Sequence, residues 1–201
     1  MMNFNNLTEK QIVNLTKEDV LYGVGWGNLS LKKLPEIYRN DKEVVLEAVK
    51  RDANQIEYVS DRLKDDKEVV LEVVKGDGDL LRILNQKLQN NKEVVLEAVK
   101  KYGISLRFAS ESLKDNDEVV LEAIKDEPQA IQYASNRLKD DKDVVLTAVS
   151  RDGGYLEHAS ERLKDDKEVV LTALRKDIWE CAHDYTSDRF KGLSIEQIEK
   201  L

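Results

Sequence analysis

Apolar residues fall in two alternating patterns along this chain. The first is Val44-Val45-Leu46 followed by Ala48 and Val49, set behind Asp41 and interrupted only by the polar positions Glu43, Glu47 and Lys50. At helical intervals these apolar residues cover more than half of the circumference and leave a narrow polar strip, which predicts a helix sandwiched between neighbours. Asp41 has the short acceptor that suits a helix N-cap, and Glu43 in the first turn complements the helix dipole. The valines also suit a strand, but the cap and the lack of alternation favour a helix. In the second pattern Ile56, Val59 and Leu63 share one helical face with Glu57, Asp61 and Lys64 opposite, predicting an outer helix of about three turns that buries one side.

Both patterns recur. DKEVVLEAVK from Asp41 returns from Asp66, Asn91, Asn116, Asp141 and Asp166, giving six starts spaced by 25 residues without an insertion. IEYVSDRLKD from Ile56 returns from Leu81, Leu106, Ile131 and Leu156. Lys64-Asp65-Asp66 makes a very short connection to the next unit, and Gly78, Gly103, Pro128 and Gly153-Gly154 mark the link inside each unit. The fold class expected is all-α, an αα-hairpin tandem-repeat solenoid of six 25-residue units with degenerate N- and C-terminal caps. A leucine-rich repeat can have this period but needs an LxLxxN strand that no unit contains.

At the front, Thr16, Lys17, Glu18, Val20, Leu21 and Val24 lie one unit ahead of Asp41, Lys42, Glu43, Val45, Leu46 and Val49, with Asp19 and Gly23 weakening the helix. At the back, Tyr185 to Lys191 matches His158 to Lys164 after a two-residue insertion, and Ser194 to Gln197 offers a capping box. The division expected is a capping repeat over 1–40, the array over 41–176 and capping helices over 177–201, all one continuous solenoid.

The net charge of -8 disfavours attraction to nucleic acid or anionic membrane and points to a protein partner, with the chain a monomer or weak homo-oligomer. Cys181 is the single cysteine, the first residues lack a signal-peptide pattern, and no apolar run is long enough to span a bilayer. A cytoplasmic location is therefore expected, with export by a specialised system left open.

With DKEVVLEAVK, the glycine link and the LxxASxxLKxD block in view, the chain resembles the helical repeat family catalogued as domain of unknown function 4116, strongly over about residues 41–176. The resemblance implies a helical repeat. Proteins of this kind look like interaction modules, and some occur in secreted effectors of intracellular bacteria. No catalytic residue carries over. Pro128 departs from the link glycine, and Thr147 and Thr172 replace the glutamate of the first four units.

Candidate chemistry is sparse. Cys181 and His183 beside Asp184 lack the second ligand cluster that zinc needs, so no metal and no cofactor are expected. His158 fills a slot held elsewhere by Tyr58, Ile83, Phe108 and Tyr133, and reads as a packing residue with no base or nucleophile beside it. The acidic turns, such as Asp65-Asp66 and Asp140-Asp141, read as helix caps, and pairs such as Tyr58/Arg62 as ring-guanidinium stacks. No catalytic constellation exists, so an enzyme is not expected.

Where the copies disagree is more informative, because a solenoid carries specificity on divergent positions of a regular frame. The links bring Trp26, Tyr102, Tyr155 and Trp179 to one side, and the outer arms carry a row of changing sign that includes Arg82 and Arg107. These six are the candidate partner-binding residues, and the expected function is a non-enzymatic protein-protein interaction scaffold or adaptor. The alternative is an acidic inhibitor, of the kind a phage or mobile element encodes, whose glutamate rows block a basic nucleic-acid-binding protein.

Overall fold

Each Asp or Asn at the 25-residue mark starts a helix. Asp41 accepts from the amides of Glu43 at 3.0 Å and Val44 at 3.3 Å, and Asp66, Asn91, Asp141 and Asp166 repeat the pair of bonds. Such a cap contributes about 1 kcal/mol. The computed structural model describes Phe4, residues 7–177 and residues 181–201, and among them it contains helices and turns but no strand. In chain order, α1 (Glu9–Val13), α2 (Lys17–Gly25) and α3 (Glu36–Arg39) form the front. Hairpins follow: α4 (Lys42–Arg51) with α5 (Asp61–Lys64), α6 (Lys67–Gly76) with α7 (Gln86–Gln89), and α8 (Lys92–Lys101) with α9 (Glu111–Lys114). Then come α10 (Asp117–Asp126) with α11 (Asn136–Lys139), α12 (Lys142–Val149) with α13 (Glu161–Lys164), and lastly α14 (Lys167–Arg175), α15 (Ala182–Tyr185) and α16 (Ile195–Glu199).

The long helices stack in series, α2 on α4, α4 on α6 and onward to α14 on α16. Val44, Val45, Ala48 and Val49 and their copies are buried, apart from the half-buried Leu174 in the last unit, as the wide apolar face requires. Each valine so removed from water contributes roughly 1.5 kcal/mol or more. The fold is the helical repeat solenoid that the period predicts.

Its outer arm differs from the single three-turn helix expected. A 3-10 segment (Ala53–Tyr58) is followed by extended backbone at Val59 and Ser60, and only then by α5. The later units repeat this break. Four of the breaks are capped: the Ser110, Ser135 and Ser160 hydroxyls accept from the amides of Leu113, Leu138 and Leu163 at 3.3 to 3.4 Å, and the Asn85 side chain from Leu88 at 3.0 Å. Each starts a new helix from an extended residue, as Ser60 does without a side-chain cap bond. Ile56, Val59 and Leu63 are nonetheless all buried. The link glycines allow close approach, since a Cβ on Gly78, Gly103 or Gly153 would lie 2.1 to 2.4 Å from the carbonyl oxygen of Ala98, Ala123 or Ala173 on the next inner helix. Pro128 takes this slot once, and the helix facing it, α12, has 8 residues where α4, α6, α8 and α10 have 10.

Polar joints tie unit to unit. The amides of Ser110, Ser135 and Ser160 donate to the carbonyls of Gln89, Lys114 and Lys139 at 2.9 to 3.0 Å, and the hydroxyls of the same serines donate to Asn90, Asp115 and Asp140. Arg62, Arg137 and Arg162 add an Nε bond to Asn40, Asp115 and Asp140 at 2.9 to 3.1 Å and a second bond to the backbone carbonyl of the same residue. These arginines therefore join consecutive units rather than stacking on Tyr58, Tyr133 and His158. Among the described residues the cation-ring contacts are Lys32 with Tyr58, Arg107 with Phe108 and Arg189 with Phe190. Running the other way, Lys17, Lys42, Lys67, Lys92 and Lys142 reach forward to acids of the following unit. Asp117 interrupts that series and pairs with Arg137 at 3.0 Å.

The ends follow the same chemistry. Thr16 caps α2, which closes in a Schellman turn with Gly27 at φ 72° and the Asn28 amide on the Gly23 carbonyl. Ser194 and Gln197 form the capping box of α16. At the first joint the polar trio is replaced by Leu15, Pro35 and Ile37, leaving Ile37 73% exposed.

Candidate partner-binding surfaces

Link positions inherit their exposure from how each inner helix ends. Asp52, Asp77 and Asp152 follow such ends and accept from the amide two residues on at 2.9 to 3.1 Å. Tyr102 holds the same slot, makes no such bond, and presents a ring that is 38% exposed. Tyr155 differs. Its row contains Leu80, Ser105 and Ala130, all buried, and Tyr155 is itself half-buried against the core. Burial, followed by the nearby Asp152 carboxylate, pushes its phenol above the usual range.

Trp26 ends α2 and is 65% exposed, its ring 6.1 Å from that of Tyr22, which in turn lies 6.1 Å from Phe4. Trp179 lies outside the described residues. Arg82 and Arg107 meet at one acid, Asp79, at 3.3 and 2.9 Å, and Arg107 also lies 4.3 Å over the Phe108 ring. The structure thus brings the two arginines together through Asp79, while Trp26 and Tyr102 belong to different units.

A surface that the residue patterns did not single out lies between the outer arms of the α4 and α6 units. A groove of 480 Å³ is lined by the apolar Ile56, Ile83 and Leu84, the acids Glu57, Asp61 and Asp65, and Lys64 and Asn85. Ile83 is 42% exposed and stands where other units have Tyr58, Phe108, Tyr133 or His158. Its lack of a ring was the signal available in the sequence.

Six overlapping windows of one repeat family cover 17–64, 41–89, 66–114, 91–139, 116–155 and 141–191. The chain belongs to the family described as Domain of unknown function (DUF4116). Comparison with curated proteins and with solved structures yields no match. The first four windows and the last each run from an inner helix into the outer arm of a following unit, so the family pattern includes the joint as well as the hairpin.

Within this DUF4116 array the acidic rows are locally balanced. Glu72, Glu97 and Glu122 pair with Lys75, Lys100 and Lys125 at 3.3, 2.9 and 3.4 Å. Near the C-terminal end, Cys181 Sγ lies 3.7 Å from Asp177 Oδ1, and burial, then the Asp177 charge, pushes its thiol up. The described residues include no group of three side chains able to hold a metal ion. Burial pushes the His158 imidazole below its ordinary value, in keeping with a ring packed into the outer layer. No described helix is long and apolar enough to cross a membrane.

Proposed function

We propose that this DUF4116 array is a non-enzymatic, cytoplasmic scaffold that binds a protein partner on the positions where its units diverge. One observation carries the reading: the recurring polar groups are engaged in caps and joints, whereas the departures from the repeat, Trp26, Tyr102 and Ile83, leave apolar side chains open to solvent. Exposed aromatics on a rigid frame are the groups from which interfaces draw most of their energy.

The test starts with affinity capture of the partner from the source cell and proceeds by titration. Trp26→Ala with Tyr102→Ala is expected to weaken binding by about 2 kcal/mol, roughly thirtyfold. Full affinity in that double variant would overturn the reading. The net charge of -8 favours a second reading, an acidic inhibitor of a basic nucleic-acid-binding protein. It predicts the reverse ranking, with charge reversal at Glu47, Glu72, Glu97 and Glu122 dominant and a steep dependence on salt.

A further inference from the structure

We infer that the groove between the α4 and α6 units receives an arginine side chain from the protein partner. The inference rests on the scaffold reading and names the chemistry of what is bound. It begins with a missing bond inside the molecule. Four joints place an aspartate in the acceptor position, Asp65, Asp115, Asp140 and Asp165. Arg137 and Arg162 sit on Asp115 and Asp140 at 2.9 Å, and Arg189 approaches Asp165 at 3.9 Å. The corresponding residue for Asp65 is Lys87, and among the described residues Asp65 has no cationic partner. Its bond is the side-chain amide of Asn85, which donates to Oδ1.

The consequence is a carboxylate set up for a guanidinium that the chain does not supply. In the α11 and α13 arms that guanidinium makes two bonds to the joint aspartate, Nε to the carboxylate and a terminal nitrogen to the backbone carbonyl of the same residue. Lysine cannot reproduce this, since its ammonium is a point charge without the planar fork. Beside Asp65, Glu57 and Asp61 add negative charge that exceeds what Lys64 offsets; Lys64 is paired with Asp61 at 3.9 Å and is the one cation among the described residues lining the groove. Ile83 and Leu84 give an apolar bed for an aliphatic stem. An arginine entering from outside lays its methylenes on Ile83 and Leu84 and its guanidinium on Asp65, completing in trans the joint that its neighbours complete in cis. Sequence around that arginine is expected to be aliphatic, to cover the exposed Ile83.

The full-length protein is panned against a displayed library of random peptides, and the selected peptides are titrated against the wild type, Asp65→Asn and Lys87→Arg. Selected peptides are expected to share an arginine beside aliphatic residues, and its replacement by citrulline, uncharged and nearly isosteric, should weaken binding about thirtyfold. Lys87→Arg is the decisive variant, because it keeps every groove carboxylate and supplies the guanidinium from within. It should lose the peptide to a similar degree while its circular dichroism stays helical and its melting temperature is equal or higher. Peptides that lack arginine, or that bind Lys87→Arg as tightly as the wild type, would overturn the groove assignment and leave the scaffold reading standing. Selection of no peptide by any face of the array would overturn both.

Discussion

Ser105 is the residue most at odds with its surroundings. Its hydroxyl is fully buried without a hydrogen-bond partner among the described residues, while its row neighbours Leu80 and Ala130 are buried and apolar. An unsatisfied buried hydroxyl costs about 1 to 3 kcal/mol, so Ser105→Ala should raise stability by about 1 kcal/mol in urea unfolding. A loss of stability would show that the hydroxyl is bonded in solution. Leu113→Ala, by contrast, should cost about 2 to 5 kcal/mol, because Leu113 is 7% exposed and belongs to the core cluster that runs from α6 to α16. At this scale the sequence was informative wherever a bond is local. Asp66 caps α6 through amides two and three residues ahead, and its position before Glu68 and Val69 announces that. Asp65, one residue earlier, looks the same in the sequence but accepts from Asn85, a partner 20 residues away that no local rule locates.

Between residue and molecule stand the elements, where the two arms of each hairpin were unequally legible. Inner helices are set by a cap, a wide apolar face and a connection of two residues, and each appears where the pattern puts it. For the outer arm, the spacing of Ile56, Val59 and Leu63 fits one long helix as well as a 3-10 segment, a break and one turn. Only the recurrence of Ser or Asn at the break, in the slot of Ser60, Asn85 and Ser110, separates the two. The same break makes the outer layer sensitive to acid. Asp115 is held below the usual carboxylate range by the Ser135 hydroxyl and then Arg137, and Asp140 by Ser160 and then Arg162. Because the folded values lie below the unfolded value of 3.8, their contribution is present above that value and is lost as pH falls through the folded ones. Melting temperature should therefore decline as pH falls through and below 3.8, and less steeply in a Ser135→Ala, Ser160→Ala variant. Equal slopes for the two proteins would show that these joints do not drive the acid response.

At the scale of the whole molecule, the core is two clusters that divide within a single helix, α6. Val69 and Val73 of α6 face the front of the array, and Val70 and Val74 of the same helix face the back. The polar joints add something that burial lacks, which is a sense of direction. Lysines at the helix starts reach to the unit ahead, and the serines and arginines of the joints reach to the unit behind. A stack with this asymmetry behaves like a polar polymer whose two ends differ, and two uncovered complementary ends of that kind would invite head-to-tail growth without closure. In this protein α16 occupies the growing end. Its Glu199 carbonyl takes Lys167 at 2.8 Å, its carboxylate takes Arg175, and Ile198 is fully buried. Removing that cover exposes the face of α14, so a protein lacking residues 194–201 is expected to sediment as species that grow with concentration, whereas sedimentation unchanged from that of the full chain would show that α16 does not limit stacking.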